Sequence, residues 1–231
     1  MTKKQVLALM GVFIIGFMLM FTSLVLKKHK AKVEWNGTPY NIENVNPLDA
    51  KFARPYNETL DTIGDVFVMF TGLIVALSIF TFFITSKDKL KGFKLAFVDC
   101  FFFGISWLYG NGLYRLLKTI AGRIRPYMYF INPSQKGIEE GDFFLSWPSG
   151  HSANVFIFFG FLLIWFAVRY AGSKLKKPVL VFTFAVCLVT MILRMLSGNH
   201  FLTDVLSGAS IGLVSGYFIS KLCYSICGEK K

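Results

Sequence analysis

At 231 residues the chain has room for one or two water-soluble domains, but its composition excludes them. Hydrophobic residues make up 54%, aromatic 17% and charged 16%, with a mean hydropathy of +0.54; soluble domains run at roughly 45–50% apolar and about 25% charged. The net charge of +12 does not imply nucleic acid, because no basic cluster alternates with exposed aromatics, and Lys- and Arg-rich cytoplasmic loops account for it.

A hydrocarbon core of about 30 Å takes roughly 20 apolar residues as helix. In chain order, spans are predicted at about 6–26, 66–85, 95–117, 152–170, 179–196 and 202–222. The fold class is therefore all-α, a polytopic membrane protein with six transmembrane helices and a single domain over 1–231. The first span is read as an uncleaved helix. Its apolar stretch, Val6 to Leu26, exceeds the about 7–15 residues of a signal peptide, and Leu26-Lys27-Lys28 follows where cleavage needs small residues.

The loop at 27–65 carries Asn36-Gly37, a hairpin signal. Its Trp35, Tyr40, Phe52 and Tyr56 suit an interfacial belt, with a lid over the site as the alternative. Even span number puts both termini on one side. That side also holds Lys87, Lys89, Lys91, Lys94, Arg169, Lys174, Lys176, Lys177 and Lys221, beside Lys3, Lys4, Lys230 and Lys231, with Asp88 and Glu229 nearly the only acids. The other side offsets Lys27, Lys28, Lys30 and Lys32 with Glu34, Glu43, Asp49, Glu58, Asp61 and Asp65. Cytoplasmic termini follow, in an integral protein of a bacterial inner (plasma) membrane whose active site faces the periplasm or exterior. All four cysteines fall in apolar runs, so no disulfide framework or metal pattern is read.

Ionisable residues at membrane depth are costly and default to functional candidates. Three clusters stand out at span ends: Lys118 to Arg125-Pro126 after the third span, Trp147-Pro148-Ser149-Gly150-His151 opening the fourth, and Arg194 through His200 to Asp204 joining the last two. The topology assigns all three to the non-cytoplasmic edge. Guanidinium forks and an ammonium suit a tetrahedral oxyanion, and Ser149-Gly150 before a helix is an anion seat. His200 and Asp204, four apart, share a helix face. The carboxylate would set the imidazole tautomer and raise its pKa, leaving a nucleophilic nitrogen, while His151 can protonate a leaving oxygen. No carboxylate-rich set suits Mg²⁺ or paired metals, so no metal and no cofactor is expected.

Lys118-x₆-Arg125-Pro126, Pro148-Ser149-Gly150-His151 and Arg194-x₅-His200-x₃-Asp204 together resemble the three-part signature of the type 2 phosphatidic acid phosphatase family, in its integral-membrane lipid phosphatase branch. The family also includes soluble acid phosphatases and vanadium haloperoxidases. The resemblance covers about residues 60–222. It implies that Lys118, Arg125, Arg194 and the Ser149 and Gly150 backbone bind phosphate. It makes His200 the nucleophile, Asp204 its orienting carboxylate and His151 the general acid. The implied function is metal-independent removal of phosphate from a membrane lipid phosphate or pyrophosphate through a phosphohistidine. Candidate substrates are phosphatidylglycerol phosphate, phosphatidic acid, undecaprenyl pyrophosphate and the phosphates of lipid A, the last from a faint likeness of His200-Phe201-Leu202-Thr203-Asp204-Val205 to lipid A phosphatases. A lipid-to-lipid phosphotransferase on the same site, or an anion transporter, is the alternative. The partners expected are the bilayer and the lipid substrate, with no obligate protein partner. One departure is Leu193, where the family has Ser before the arginine; the hydrogen bond to phosphate is then either absent or supplied elsewhere, with Ser197 and Asn199 the candidates. Arg115 and Arg123 stand evenly between membrane-edge anchors and ligands, and Asp99 reads as interfacial or helix-paired, not catalytic.

Overall fold

The computed structural model describes residues 2–30 and 33–228. Lys32, Glu229, Lys230 and Lys231, counted in the charge reading, lie outside the described residues. Among the described residues, six helices are long and apolar enough to cross a membrane: α1 (Lys3–His29), α3 (Glu58–Thr85), α4 (Lys89–Ala121), α6 (Gly150–Arg169), α7 (Lys176–Leu196), and a final span made of α8 (Leu202–Val214), a π-helical segment (Ser215–Ile219) and α9 (Ser220–Ile226). Short helices α2 (Pro47–Phe52) and α5 (Gln135–Glu139) lie in the connections at one end of the bundle. No strand occurs among the described residues.

Capping explains the boundaries. Thr2 and Gln5 form a reciprocal capping box on α1; Asn57, Asp88 and Ser149 accept backbone N–H bonds at the starts of α3, α4 and α6. Gly122, in the left-handed region at φ 58°, ends α4. The second span begins at Glu58, eight residues before the apolar run at 66. Asn57 caps it and the acidic Glu58 and Asp61 suit its positive end, so hydropathy alone overlooked two polar turns. The expected hairpin at Asn36-Gly37 is a turn without strands: the Asn36 carbonyl accepts from the Thr38 N–H and hydroxyl.

The bundle is apolar on its outside as well as in its core, which holds Phe102, Ile105, Phe161 and Trp165. Phe17, Met18, Met69, Phe97 and Phe182 face outward, as lipid contact requires, while Ser106, Thr183, Thr190 and Ser220 are buried. The fourth span, α6, is central and packs against α3, α4, α7 and α8. Its contact with α8 runs over a glycine stripe. A Cβ on Gly208, Gly212 or Gly216 would stand 2.3, 2.1 or 2.3 Å from the carbonyl oxygens of Ser149, Ala153 and Ile157 respectively. Small residues at four-residue spacing let two helix backbones approach, which is how helices associate where no hydrophobic drive separates them from lipid.

Far from the three clusters, Asp99 is fully buried. Its carboxylate accepts from the Trp165 indole N–H (2.9 Å), the Arg169 guanidinium (2.7 Å) and the Tyr224 hydroxyl (2.8 Å). It is helix-paired, joining the third, fourth and last spans.

The glycine stripe makes a stability prediction. Gly212→Val pushes a branched side chain into the Ala153 backbone and should lower the thermal midpoint in detergent by more than about 5 °C, given the roughly 2–4 °C that each kcal/mol is worth in a chain of this size. Gly104→Ala, with nothing within 4 Å of the new Cβ, should shift it by less than about 2 °C. Equal shifts would show that the α6–α8 approach is not the tight contact.

Candidate active site

The last span starts where the third motif ends, and its first turn organises the site. Asp204 is fully buried and holds four partners. Oδ2 accepts from the Ser146 hydroxyl (2.5 Å) and the Phe201 N–H (2.8 Å), and Oδ1 accepts from Arg123 (2.6 Å). The Asp204 carbonyl accepts from the Ser149 N–H at 2.9 Å. His200 is 1% exposed, and its Nδ1 stands 3.7 Å from Asp204 Oδ2 without a hydrogen bond. The pair is thus adjacent but not on one helix face as expected: His200 precedes α8, and the turn into that helix brings the carboxylate to the Nδ1 side, with Nε2 on the opposite side of the ring.

Arg123 is no membrane anchor. Its guanidinium bridges Asp204 and Asp49 (2.7 Å), donates to Thr203 (2.8 Å) and covers the Phe201 ring at 4.3 Å. Asp49, from α2 in the first loop, is fully buried and accepts from the Thr203 N–H and hydroxyl and from Asn46. Burial alone would raise its pKa, but the hydrogen bonds from Thr203 and Arg123 outweigh it and hold the carboxyl below its ordinary value. The first loop is therefore pinned to the site. Trp35, Tyr40 and Tyr56 pack on the Tyr127, Met128 and Phe143 cluster, a wall beside the site more than a belt along the surface.

Lys118, Arg125, Arg194, Gly150, His151 and His200 line one cavity of about 310 Å³, closed on other sides by Ser23, Leu24 and Lys27 of α1, Val68 of α3 and Arg115 and Asn154. Gly122 turns the chain after α4, so Lys118 and Arg125 enter from either side of that turn. Arg125 donates to the Asp142 carbonyl (2.9 Å) and to the Asn199 side chain. Asn199 in turn donates to Ser197 (2.9 Å), whose hydroxyl donates to the Arg194 carbonyl (3.2 Å). The two residues proposed to replace the missing serine are thus fully engaged in holding Arg125 and the α7 terminus. Arg194, 2% exposed, pairs with Asp61 of α3. The Lys118 side chain makes no hydrogen bond or ion pair within the described residues.

Ser149 requires a correction. Its N–H donates to the Asp204 carbonyl and its hydroxyl oxygen accepts from the Ser152 N–H (3.4 Å) and hydroxyl (3.1 Å), so it fixes the helix start and its backbone N–H is not free for phosphate. The unpaired donors of that turn are the Gly150 and His151 N–H groups. Glycine at 150 is needed for packing, since a Cβ would stand 2.9 Å from the Tyr114 ring. The His151 Nε2 meets Asp65 of α3 at 2.5 Å.

The site as a whole is cationic. Burial first, then Lys118, Arg125 and Arg194, presses the His200 imidazole well below the ordinary histidine pKa. The expectation that Asp204 raises it fails because Arg123 and the Ser146 hydroxyl take up that carboxylate's charge. No group of three or more His, Cys, Asp or Glu fit to hold a metal occurs among the described residues. Sequence reasoning missed Arg123 as a ligand of Asp204, together with Asp49, Asp61, Asp65 and Ser146. Of these only Asp61 and Asp65 left a trace, as acids four apart beside an apolar run.

The PAP2 superfamily matches over residues 99–225. Phosphatidylglycerophosphatase B of Bacillus subtilis (strain 168) is 32% identical over 109 residues, 46% of this chain and 49% of that protein, so the match spans about half the length of that curated relative. The crystal structure of a transmembrane PAP2-type phosphatidylglycerolphosphate phosphatase from Bacillus subtilis has the same fold, at a TM-score of 0.52 and 21% identity, over 91% of this chain and 96% of that one. With the family match enclosing all three motif segments and both histidines on a six-span bundle, the chain belongs to the PAP2 superfamily.

Proposed function

We propose that the protein is a lipid phosphate phosphatase working through a phosphohistidine. The observation that carries this reading is one neutral, buried imidazole, His200, sharing a cavity at the edge of a membrane bundle with Lys118, Arg125 and Arg194. Three fixed cations and two free helix N–H groups stabilise a phosphoryl group whose charge spreads in the transition state. His200 Nε2 attacks phosphorus as the bond to the lipid oxygen breaks, and His151 gives that oxygen its proton. A water then attacks the phosphorus, His151 takes the proton, and the P–N bond breaks to free phosphate and His200. Asp204, held by Arg123, faces the Nδ1 side and fixes the ring. Asp65 acts on the leaving group only through His151, as a positioning residue.

The names of the two Bacillus subtilis relatives favour phosphatidylglycerol phosphate among the candidate lipids. The cavity wall of α1 and α3 residues suits a lipid arriving from within the bilayer. The Lys-rich end, with Lys87, Lys89, Lys91, Lys94 and Lys174, lies opposite the site, so the site faces the periplasm or exterior by the charge rule.

Purified protein in detergent should release phosphate from phosphatidylglycerol phosphate, unaffected by EDTA within about twofold and inhibited by vanadate, a mimic of the phosphoryl transition state. His200→Ala should leave less than a few per cent of that rate; a higher residue of activity, or a requirement for Mg²⁺, overturns the mechanism.

The pH behaviour has a definite sign. Because the His200 pKa lies below its ordinary 6.5, the ring stays neutral as pH falls through 6.5, and its protonation cannot set an acid limb there. Nitrogen NMR of labelled imidazoles, with His200→Asn to assign the signal, should show neutral His200 at pH 6.5. An imidazolium signal at that pH would refute the assignment.

Asp65→Asn should cut kcat on phosphatidylglycerol phosphate by about tenfold to a hundredfold, a part of what general acid catalysis supplies. An aryl phosphate, whose leaving group needs no proton, should lose less than about threefold. Equal losses on both would mean that Asp65 serves the fold and not His151.

A further inference from the structure

Arg115 lies three residues before Lys118 on α4, outside the family signature, and lines the same cavity. At 1.5 Å per residue it stands roughly 4.5 Å further toward the bilayer centre than Lys118, and about 9 Å inside the end of α4 at Ala121. The register agrees. Gly112 abuts Leu19 and Met20 of α1 and Gly122 abuts Lys30, so Arg115 is level with Ser23 and Leu24, below the headgroup end of both helices. A snorkelling anchor carries its head outward to water. Here the Arg115 Nε has no solvent contact and no hydrogen-bond partner, and no carboxylate within ion-pair distance answers the guanidinium among the described residues. Lys27, across the cavity mouth on α1, pairs with Asp142 at 3.2 Å. The guanidinium lies 5.5 Å over the Tyr114 ring, a contact that leaves its charge unneutralised, and a cation without a counter-ion at membrane depth, lining a cavity, is built for an anion.

That anion is not the one being cleaved. Lys118, Arg125 and Arg194 gather around His200, and Arg115 stands a helical turn away on the lipid side. We infer that Arg115, with Lys27 at the rim, forms a second anion subsite that reads a non-reacting phosphate lying between the scissile phosphate and the lipid tail. This rests on the phosphatase reading and narrows its substrate class to lipids bearing two phosphates in series. The second phosphate is either a phosphodiester joined through glycerol or the inner phosphate of a pyrophosphate. A lipid with a single phosphate monoester leaves Arg115 unanswered.

The test is a ratio of kcat/KM values in detergent micelles for phosphatidylglycerol phosphate, undecaprenyl pyrophosphate and phosphatidic acid, with wild type, Arg115→Gln and Arg115→Lys. Charge-assisted hydrogen bonds of this kind translate into about tenfold to a hundredfold in binding. Arg115→Gln should reduce the preference for at least one two-phosphate lipid over phosphatidic acid by that factor, and Arg115→Lys should restore part of it. Which of the two lipids loses tells whether the subsite is spaced for a glycerol bridge or for a pyrophosphate. Equal losses on all three lipids, or no loss on any, overturns the subsite while leaving the phosphatase reading intact. Should wild type release no phosphate from any of them while remaining folded, the phosphatase reading falls and the subsite falls with it.

Discussion

Positive charge concentrated at the edge of an apolar bundle is the constraint on which the rest of this structure depends. Lys118, Arg125, Arg194 and Arg115 share one cavity with His151 and His200. Like charges at that proximity repel strongly where water is scarce, and the desolvation of each adds to the cost. The fold answers in two ways. On the water side, carboxylates from separate segments take individual cations, Asp61 on Arg194 and Asp65 on His151, and the Asn199 side chain and Asp142 carbonyl hold Arg125. On the membrane side no such answer is given to Lys118 or to the Arg115 Nε. The field left over points at the cavity and adds to burial in pressing the His200 pKa down.

A second ionic knot supports the first without touching the cavity's anion seat. Asp49, Arg123 and Asp204 alternate in charge, with Thr203 bonded to two of them. Removing one member of such a buried set strands the others, which typically costs several kcal/mol. The arrangement ties a loop helix to the start of the last span, so the order of the first loop and the orientation of Asp204 are one problem. It also explains why a carboxylate next to a histidine fails to raise that histidine's pKa: its charge is already answered by Arg123.

What the chain revealed before folding follows from the range of each interaction. The six spans were legible because each is a contiguous apolar run, and the motif residues because short spacings put them on one turn or one face. Span edges were less legible: α3 begins at Glu58 through an asparagine cap and acidic turns that carry no hydropathy signal. The partners of the motif residues were not legible at all. Asp49 meets Thr203 across 154 positions and Arg123 meets Asp204 across 81, and nothing local in either segment marks the other. Arg123 stood evenly between anchor and ligand for that reason, and Ser149 looked like a phosphate donor because the Asp204 carbonyl that takes its N–H comes from another helix.

The two histidines reach the cavity from different helices, and their mutual position is decided inside the membrane. The stripe Gly208, Gly212, Gly216 lets the last span lie on the backbone of α6 along three turns. At the end of that contact, Gly208 touches the Ser149 carbonyl, and the Ser149 N–H bonds the Asp204 carbonyl at 2.9 Å. The same close approach that associates two helices in lipid therefore locks the start of α6, which carries His151, against the start of α8, which follows His200. A side chain larger than hydrogen anywhere on the stripe has no flexible neighbour to displace, only backbone, so it must part the helices. Parting them separates His151 from His200, the proposed acid and nucleophile, and near-attack geometry tolerates little of that. Packing at the bilayer centre and chemistry at its edge are in this sense one constraint, carried by three glycines.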